Sequence, residues 1–187
     1  MFCHTPHGAA DPAGTGVPLW NRKTDATGFT MYEFATVPTP PRVHMTIASA
    51  PQGPSLACLS CHDGTIAFDS LFNGPTTATT VYDYDATGTS RGWSFTGGNK
   101  IPGTNFANIG KDLKNDHPIS VTYDSTKGYR NGAYYAIAIA KTNGAKFYGA
   151  GADQLECSSC HNPHSEAFPP FLVKSNAASG LCAMCHT

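Results

Sequence analysis

Three five-residue stretches of this chain share one pattern: "CLSCH" from Cys58 to His62, "CSSCH" from Cys157 to His161 and "CAMCH" from Cys182 to His186. In each, two cysteines stand two residues apart and a histidine follows at once. With 8 His in 187 residues, chance would place one after all three pairs on the order of 1 time in 10,000, so the repeat carries chemistry. The opening "MFCH" reads as the end of a fourth copy, with Cys3 and His4 as its last two members.

Three chemistries compete for paired cysteines. Disulfides suit an exported chain, but they give no reason for the histidine, and seven cysteines leave one unmatched. Zinc needs two knuckles, such as Cys58/Cys61 and Cys157/Cys160, converging on one tetrahedral ion, and it too has no use for a histidine after every pair. Covalent haem c uses the whole motif. Each thiol adds across one vinyl group of a single porphyrin edge, the spacer matches the separation of those vinyls, and the adjacent imidazole binds iron as proximal ligand. The attachment residues are then Cys58, Cys61, Cys157, Cys160, Cys182 and Cys185, with Cys3 for a fourth haem. The partner of Cys3 is expected just ahead of Met1, in a segment ending in cysteine; a single thioether or a vestigial site are the alternatives.

The histidines balance this count. His4, His62, His161 and His186 follow cysteine and serve as proximal ligands, while His7, His44, His117 and His164 remain as distal ones. Four haems with two histidines each consume all eight. A lone histidine is ordinarily a surface or hydrogen-bonded residue, and only the balance lifts His44 and His117 above that reading. Met31 or Met45 could replace one distal histidine and raise that haem's potential, whereas Met184 lies inside an attachment motif. His7 in "CHTPH" and His164 in "CHNPH" stand three residues beyond a proximal histidine. Each is screened by the ring plane from the distal face of its own haem and must ligate another, with Pro6 and Pro163 stiffening the link.

Composition agrees with a chain organised by something other than a large side-chain core. Gly 19, Pro 14 and only 13% charged residues describe turns and short extended pieces. The net charge of -1, with 12 Lys+Arg scattered singly, gives no footprint for nucleic acid. The longest apolar run, "AYYAIAIA" from Ala133 to Ala140, falls far short of the roughly 20 residues of a membrane helix. The expected fold is mostly irregular and loop-rich, with short helices at the haem motifs and a few short β-strands, in one domain spanning residues 1–187. Within it, residues 63–156 form a long loop and β insertion wrapping the haems. Pro38, Pro40 and Pro41 predict an extended segment, the residues flanking "DATG" a hairpin, and the stretch from Gly128 to His161 short strands split by "TNGA" and "GAGAD" turns. Asp83, Asp85 and Gly88 lack the further ligands of a calcium loop and read as a solvated turn. Trp20, Trp93 and the tyrosines read as core or haem-packing aromatics.

At "CHTPHG", "CLSCHDGT", "NDHPISV", "CSSCHNPH" and "CAMCHT" the chain resembles the doubled C-x-x-C-H multihaem cytochromes, and more narrowly the extracellular tetrahaem cytochromes of the OmcE type that polymerise into conductive filaments. The resemblance implies a subunit built around a continuous chain of bis-histidine haems, stacked into a homopolymer. An axial histidine can then cross between subunits, with His7 and His44 as candidates. Because eight histidines saturate four irons, no axial position is left for a substrate, and electron transfer is expected rather than catalysis. A soluble periplasmic tetrahaem shuttle is the alternative reading and a multihaem redox enzyme the weaker one. Few charges for steering favour permanent stacking over transient docking. Other redox cytochromes or extracellular acceptors are the expected partners. Thioether formation on an exported chain places the protein outside the cytoplasm, at the cell surface or beyond.

Overall fold

Among the described residues the longest regular element is helix α1, Gly53–His62, and its ends are written in the sequence. Pro54 falls in the first turn, where a missing N–H costs nothing. The helix stops at Asp63, whose N–H bonds back to Leu59 and Cys61, and the chain leaves through Gly64 at a φ of +69°. A Cβ there would meet the side-chain amide of Asn108, which would have to shift, and the left-handed φ favours glycine in its own right. Leu56, Leu59 and Ser60 are buried on one face of α1, and helical spacing puts Cys58, Cys61 and His62 on the opposite one.

The computed structural model describes residues 3–5, 7, 9, 11, 14–32, 44–68, 70–72, 89, 90, 93, 94, 100–127 and 132–187. These gather into two compact units, the first formed by Met1–Thr30 with Gln52–Leu113 and the second by Met31–Pro51 with Lys114–Thr187. The stretch 63–156 is thereby shared between them: up to Leu113 it folds with the first unit, from Lys114 with the second. The chain is loop-rich, with few short helices and a small three-stranded sheet, which is the architecture its composition calls for.

In the second unit, β1 (Thr46–Ile47), β4 (Val121–Thr122) and β5 (Gln154–Leu155) pair antiparallel in the order β1-β4-β5, with Val121 opposite both Ile47 and Leu155. The sheet closes over Met45, Val121, Tyr123, Ala140, Ala145 and Met184, a small apolar cluster backed by Tyr134 and Phe147. Tyr123 sits 4.9 Å from the Phe147 ring and 6.2 Å from that of Tyr134, the aromatic packing expected of these residues.

One expected strand is a helix. The "IAIAKT" segment forms α2, Ile137–Thr142, where short strands were anticipated. Alternating Ile and Ala satisfies a strand pattern, but alanine is the best helix former, and Ala140 supplies the buried contact on its own. The "TNGA" turn is the helix stop: Gly144 takes a φ of +112° and its N–H bonds Lys141. "GAGAD" does reverse the chain, with Tyr148 and Gln154 exchanging backbone hydrogen bonds of 2.8 and 2.9 Å. In the first unit, β2 (Thr89–Ser90) and β3 (Trp93–Ser94) pair antiparallel within the second half of the anticipated hairpin. "DATG", the Pro38–Pro41 segment and Pro6 lie outside the described residues.

Candidate cofactor-attachment sites

In the first unit, the thiols of α1 are held against a buried polar scaffold. Arg22 is fully buried and donates to Oγ and O of Ser60 at 3.3 and 3.1 Å, to Ala67 O at 3.0 Å and to Phe68 O. Ser60 is one of the two spacer residues of the motif, so this guanidinium fixes the backbone between the cysteines. Buried Asp63 accepts from Thr65 N–H at 2.8 Å and Thr65 Oγ at 2.6 Å and lies 3.9 Å from Lys111 Nζ.

His62 Nδ1 is 2.8 Å from Ala107 O, and Ile109 N–H donates to His62 O at 2.7 Å. A carbonyl only accepts, so Nδ1 carries the proton and the Nε2 lone pair is left for a metal. His4 repeats the device. Its Nδ1 is 2.7 Å from Pro18 O, and Thr5 N–H donates to Leu19 O at 3.0 Å. Cys3 and His4 are not helical: His4 forms a bridge with Trp20, whose ring lies 6.0 Å away. Burial pushes the Cys61 thiol up, Arg22 pulls it down, and Cys3 raises it again, so the thiols of the two motifs are close enough to feel each other.

The second unit carries the other two motifs. Helix α3, Cys157–Cys160, opens with a capping box in which buried Glu156 accepts from Ser159 N–H while Ser159 Oγ is 2.9 Å from Glu156 N. Ser120 Oγ donates to the same carboxylate at 3.0 Å. His161 leaves the helix extended, with Nδ1 3.1 Å from Pro170 O. Next comes a turn set by Asn162: Ser165 N–H bonds its carbonyl at 3.0 Å and His164 N–H its side chain at 3.1 Å. The exposed His164 is thus presented on a rigid bend just past the attachment residues.

Cys182–Met184 is a 3-10 turn, a geometry that eclipses residues three apart and so aligns Cys182 with Cys185. His186 N–H closes the motif on Cys182 O at 3.0 Å, and Cys185 O receives Tyr135 N–H at 2.9 Å. The His186 ring is 4.8 Å from Tyr134 and 6.5 Å from His117. Burial, then His117, lowers its pKa, favouring the neutral imidazole a metal requires. Burial, then Cys157 and Cys182, raises the Cys160 thiol; burial and Cys160 push Cys185 up to about 11. Each unit therefore gathers two motifs. Of the remaining candidates, exposed His117 has Nδ1 3.0 Å from Pro118 O, half-buried His44 precedes core residue Met45, and exposed His7 accepts Thr5 Oγ–H through its carbonyl at 2.9 Å.

These residues fit haem. Four histidines, His4, His62, His117 and His161, have Nδ1 against a backbone carbonyl, which selects the tautomer with the proton on Nδ1. Among the described residues the buried side-chain polar atom without a partner is Trp20 Nε1, beside His4, a donor for which a haem carboxylate is a fitting acceptor.

Residues 150–187 match the family described as "Doubled CXXCH motif". The matched span holds the attachment residues Cys157, Cys160, Cys182 and Cys185 with His161 and His186, and it supports covalent haem c in a multihaem c-type cytochrome. No curated protein matches the chain.

Sequence reasoning did not find Arg22, Asp63 or Glu156. A signal existed for the last two: "HDGT" is an Asx-turn pattern, and Glu156 directly ahead of "CSSC" with Ser159 three residues on is a capping box. Arg22 has none, because its acceptors lie 38 to 46 residues away along the chain and all but the Ser60 hydroxyl are backbone carbonyls.

Proposed function

We propose that this chain carries electrons over long distances through four covalently attached haems, each held by two histidines, as the subunit of an extracellular conductive filament. The observation that carries the reading is the repeated C-x-x-C-H motif with its imidazoles anchored through Nδ1 to backbone carbonyls, as at His4, His62 and His161. Bound haem iron supplies one-electron chemistry. The chain's own part is to tether, orient and space the cofactors. The cysteines fix the porphyrin edges, the carbonyls of Pro18, Ala107 and Pro170 set tautomer and ring orientation, and the paired motifs of each unit keep neighbouring sites close.

An enzyme is disfavoured because eight histidines match four irons with two ligands each, leaving no position for a substrate. Bis-histidine ligation, lacking methionine, gives low potentials. Assembly is supported by exposed apolar side chains, Phe72 and Phe106 in the first unit and Phe168 and Phe171 in the second, together with the scarcity of charge. An axial histidine such as His7 or His44 crossing to the next copy would lock such a stack. Attachment chemistry requires export, and no helix among the described residues is long and apolar enough to cross a membrane.

The test is imaging of the purified extracellular fraction. Fibres with an unbroken row of haems are the expected outcome. Monodisperse particles under conditions that preserve assemblies would favour a soluble periplasmic shuttle instead.

A further inference from the structure

Among the described residues of the second unit, His117 and His186 have the spacing of two ligands on a shared metal. The ring centroids of His117 and His186 are 6.5 Å apart and their planes cross at 88°. Metal–imidazole bonds of about 2 Å on either side, with each ring centre about 1 Å behind its nitrogen for ring bonds near 1.3 Å, put two trans imidazoles about 6 to 6.5 Å apart. His117 has Nδ1 committed to the Pro118 carbonyl at 3.0 Å, so Nε2 is the nitrogen it can offer. His186 is held from behind by the bridge to Tyr134 and by its N–H bond to Cys182 O at 3.0 Å.

We propose that His117 is the distal ligand of the haem tethered at Cys182 and Cys185, trans to His186, with the two imidazole planes crossed near a right angle. This rests on the haem reading above and sharpens it by assigning one of the four distal histidines. The crossing angle has a spectroscopic consequence, because perpendicular imidazoles leave the iron d-orbitals of a ferric low-spin haem nearly degenerate. Such a haem gives a far more anisotropic resonance than one with parallel rings. The exposed position of His117 also means that replacing it opens no cavity in the apolar core.

The experiment is low-temperature electron paramagnetic resonance of the oxidised, fully haem-loaded chain and three variants, with the haem content of each fixed by intact mass. The native protein should show one strongly anisotropic low-spin signal. His117→Ala should remove it and add one haem's worth of high-spin signal at unchanged haem content. His117→Met should restore a low-spin centre and raise the potential of a single haem. Replacing Cys182 and Cys185 together by serine should delete one haem and the same anisotropic signal. The pairing is overturned if His117→Ala leaves every low-spin signal in place, or if the signal it removes survives the double serine variant. A native chain with no covalent haem would overturn the pairing and the electron-transfer reading together, so the two failures are distinct.

Discussion

The C-x-x-C-H motif on α1 and the one at Cys182–His186 rest on opposite kinds of support. Cys58, Cys61 and His62 ride on a ten-residue helix whose hidden side is gripped at Ser60 by the buried Arg22 guanidinium and whose end is followed by the buried Asp63 turn. Cys182 and Cys185 ride on a three-residue turn pressed onto an apolar cluster through Met184, which is 1% exposed. The spacing of the cysteines is the same in each motif, and the chain meets it with an α-helix, a single helical turn or a 3-10 turn. The imidazoles are held differently as well: His62 and His161 lean on carbonyls outside their motifs, and His186 leans on its own motif and Tyr134.

If the two supports differ in kind, they should fail to different substitutions. Arg22→Met strips the donors from the carbonyls of Ser60, Ala67 and Phe68, and at about 1 to 3 kcal/mol per bared acceptor the loss should be at least about 3 kcal/mol. Hydrogen exchange by mass spectrometry should show faster exchange in α1 and none added at residues 182–186; a loss shared equally would break the distinction. Met184→Ala is the converse. It removes a fully packed side chain and should cost about 2 to 4 kcal/mol, with exchange rising in α2 and the C-terminal turn while α1 is unmoved.

A subtler variant sharpens the apolar side. Tyr123→Phe keeps the ring against Phe147 but deletes the hydroxyl that donates to Tyr135 O at 2.7 Å, and about 1 kcal/mol should be lost in denaturant titration. The smallest effect is a surface one in the first unit. Asp25, bonded by Lys111 at 2.8 Å and by Thr27, has its pKa lowered. A depressed carboxylate contributes stability above its unfolded value of about 3.9, and that contribution disappears as pH falls through the folded value. Because Asp25 is 40% exposed, only about 0.2 to 0.5 kcal/mol is at stake. Asp25→Asn should reproduce that difference at neutral pH and abolish it in acid.

The C-x-x-C-H motifs were legible in the sequence because residue type and spacing define them, and no tertiary information is needed to see Cys-x-x-Cys-His. The loop-rich character followed from glycine, proline and the scarcity of charge. The anchors of the imidazoles were not legible, since His4, His62 and His161 are met by carbonyls fourteen, forty-five and nine residues away, and a carbonyl is supplied by every residue type. The 137–142 segment misled because Ile and Ala alternate in a way that serves either a strand or a helix, and what decides it is the burial of Ala140 beneath the sheet. The pairing of His117 with His186 joins residues far apart in the chain, and histidine counting alone is blind to partners.

The measurement that bears most directly on the account is the intact mass of the chain purified from its native host, taken under denaturing conditions that strip any cofactor held without a covalent bond. The account predicts the polypeptide plus four haems. A mass equal to the bare polypeptide would contradict it, leaving the cysteines and histidines without the cofactor that explains their order.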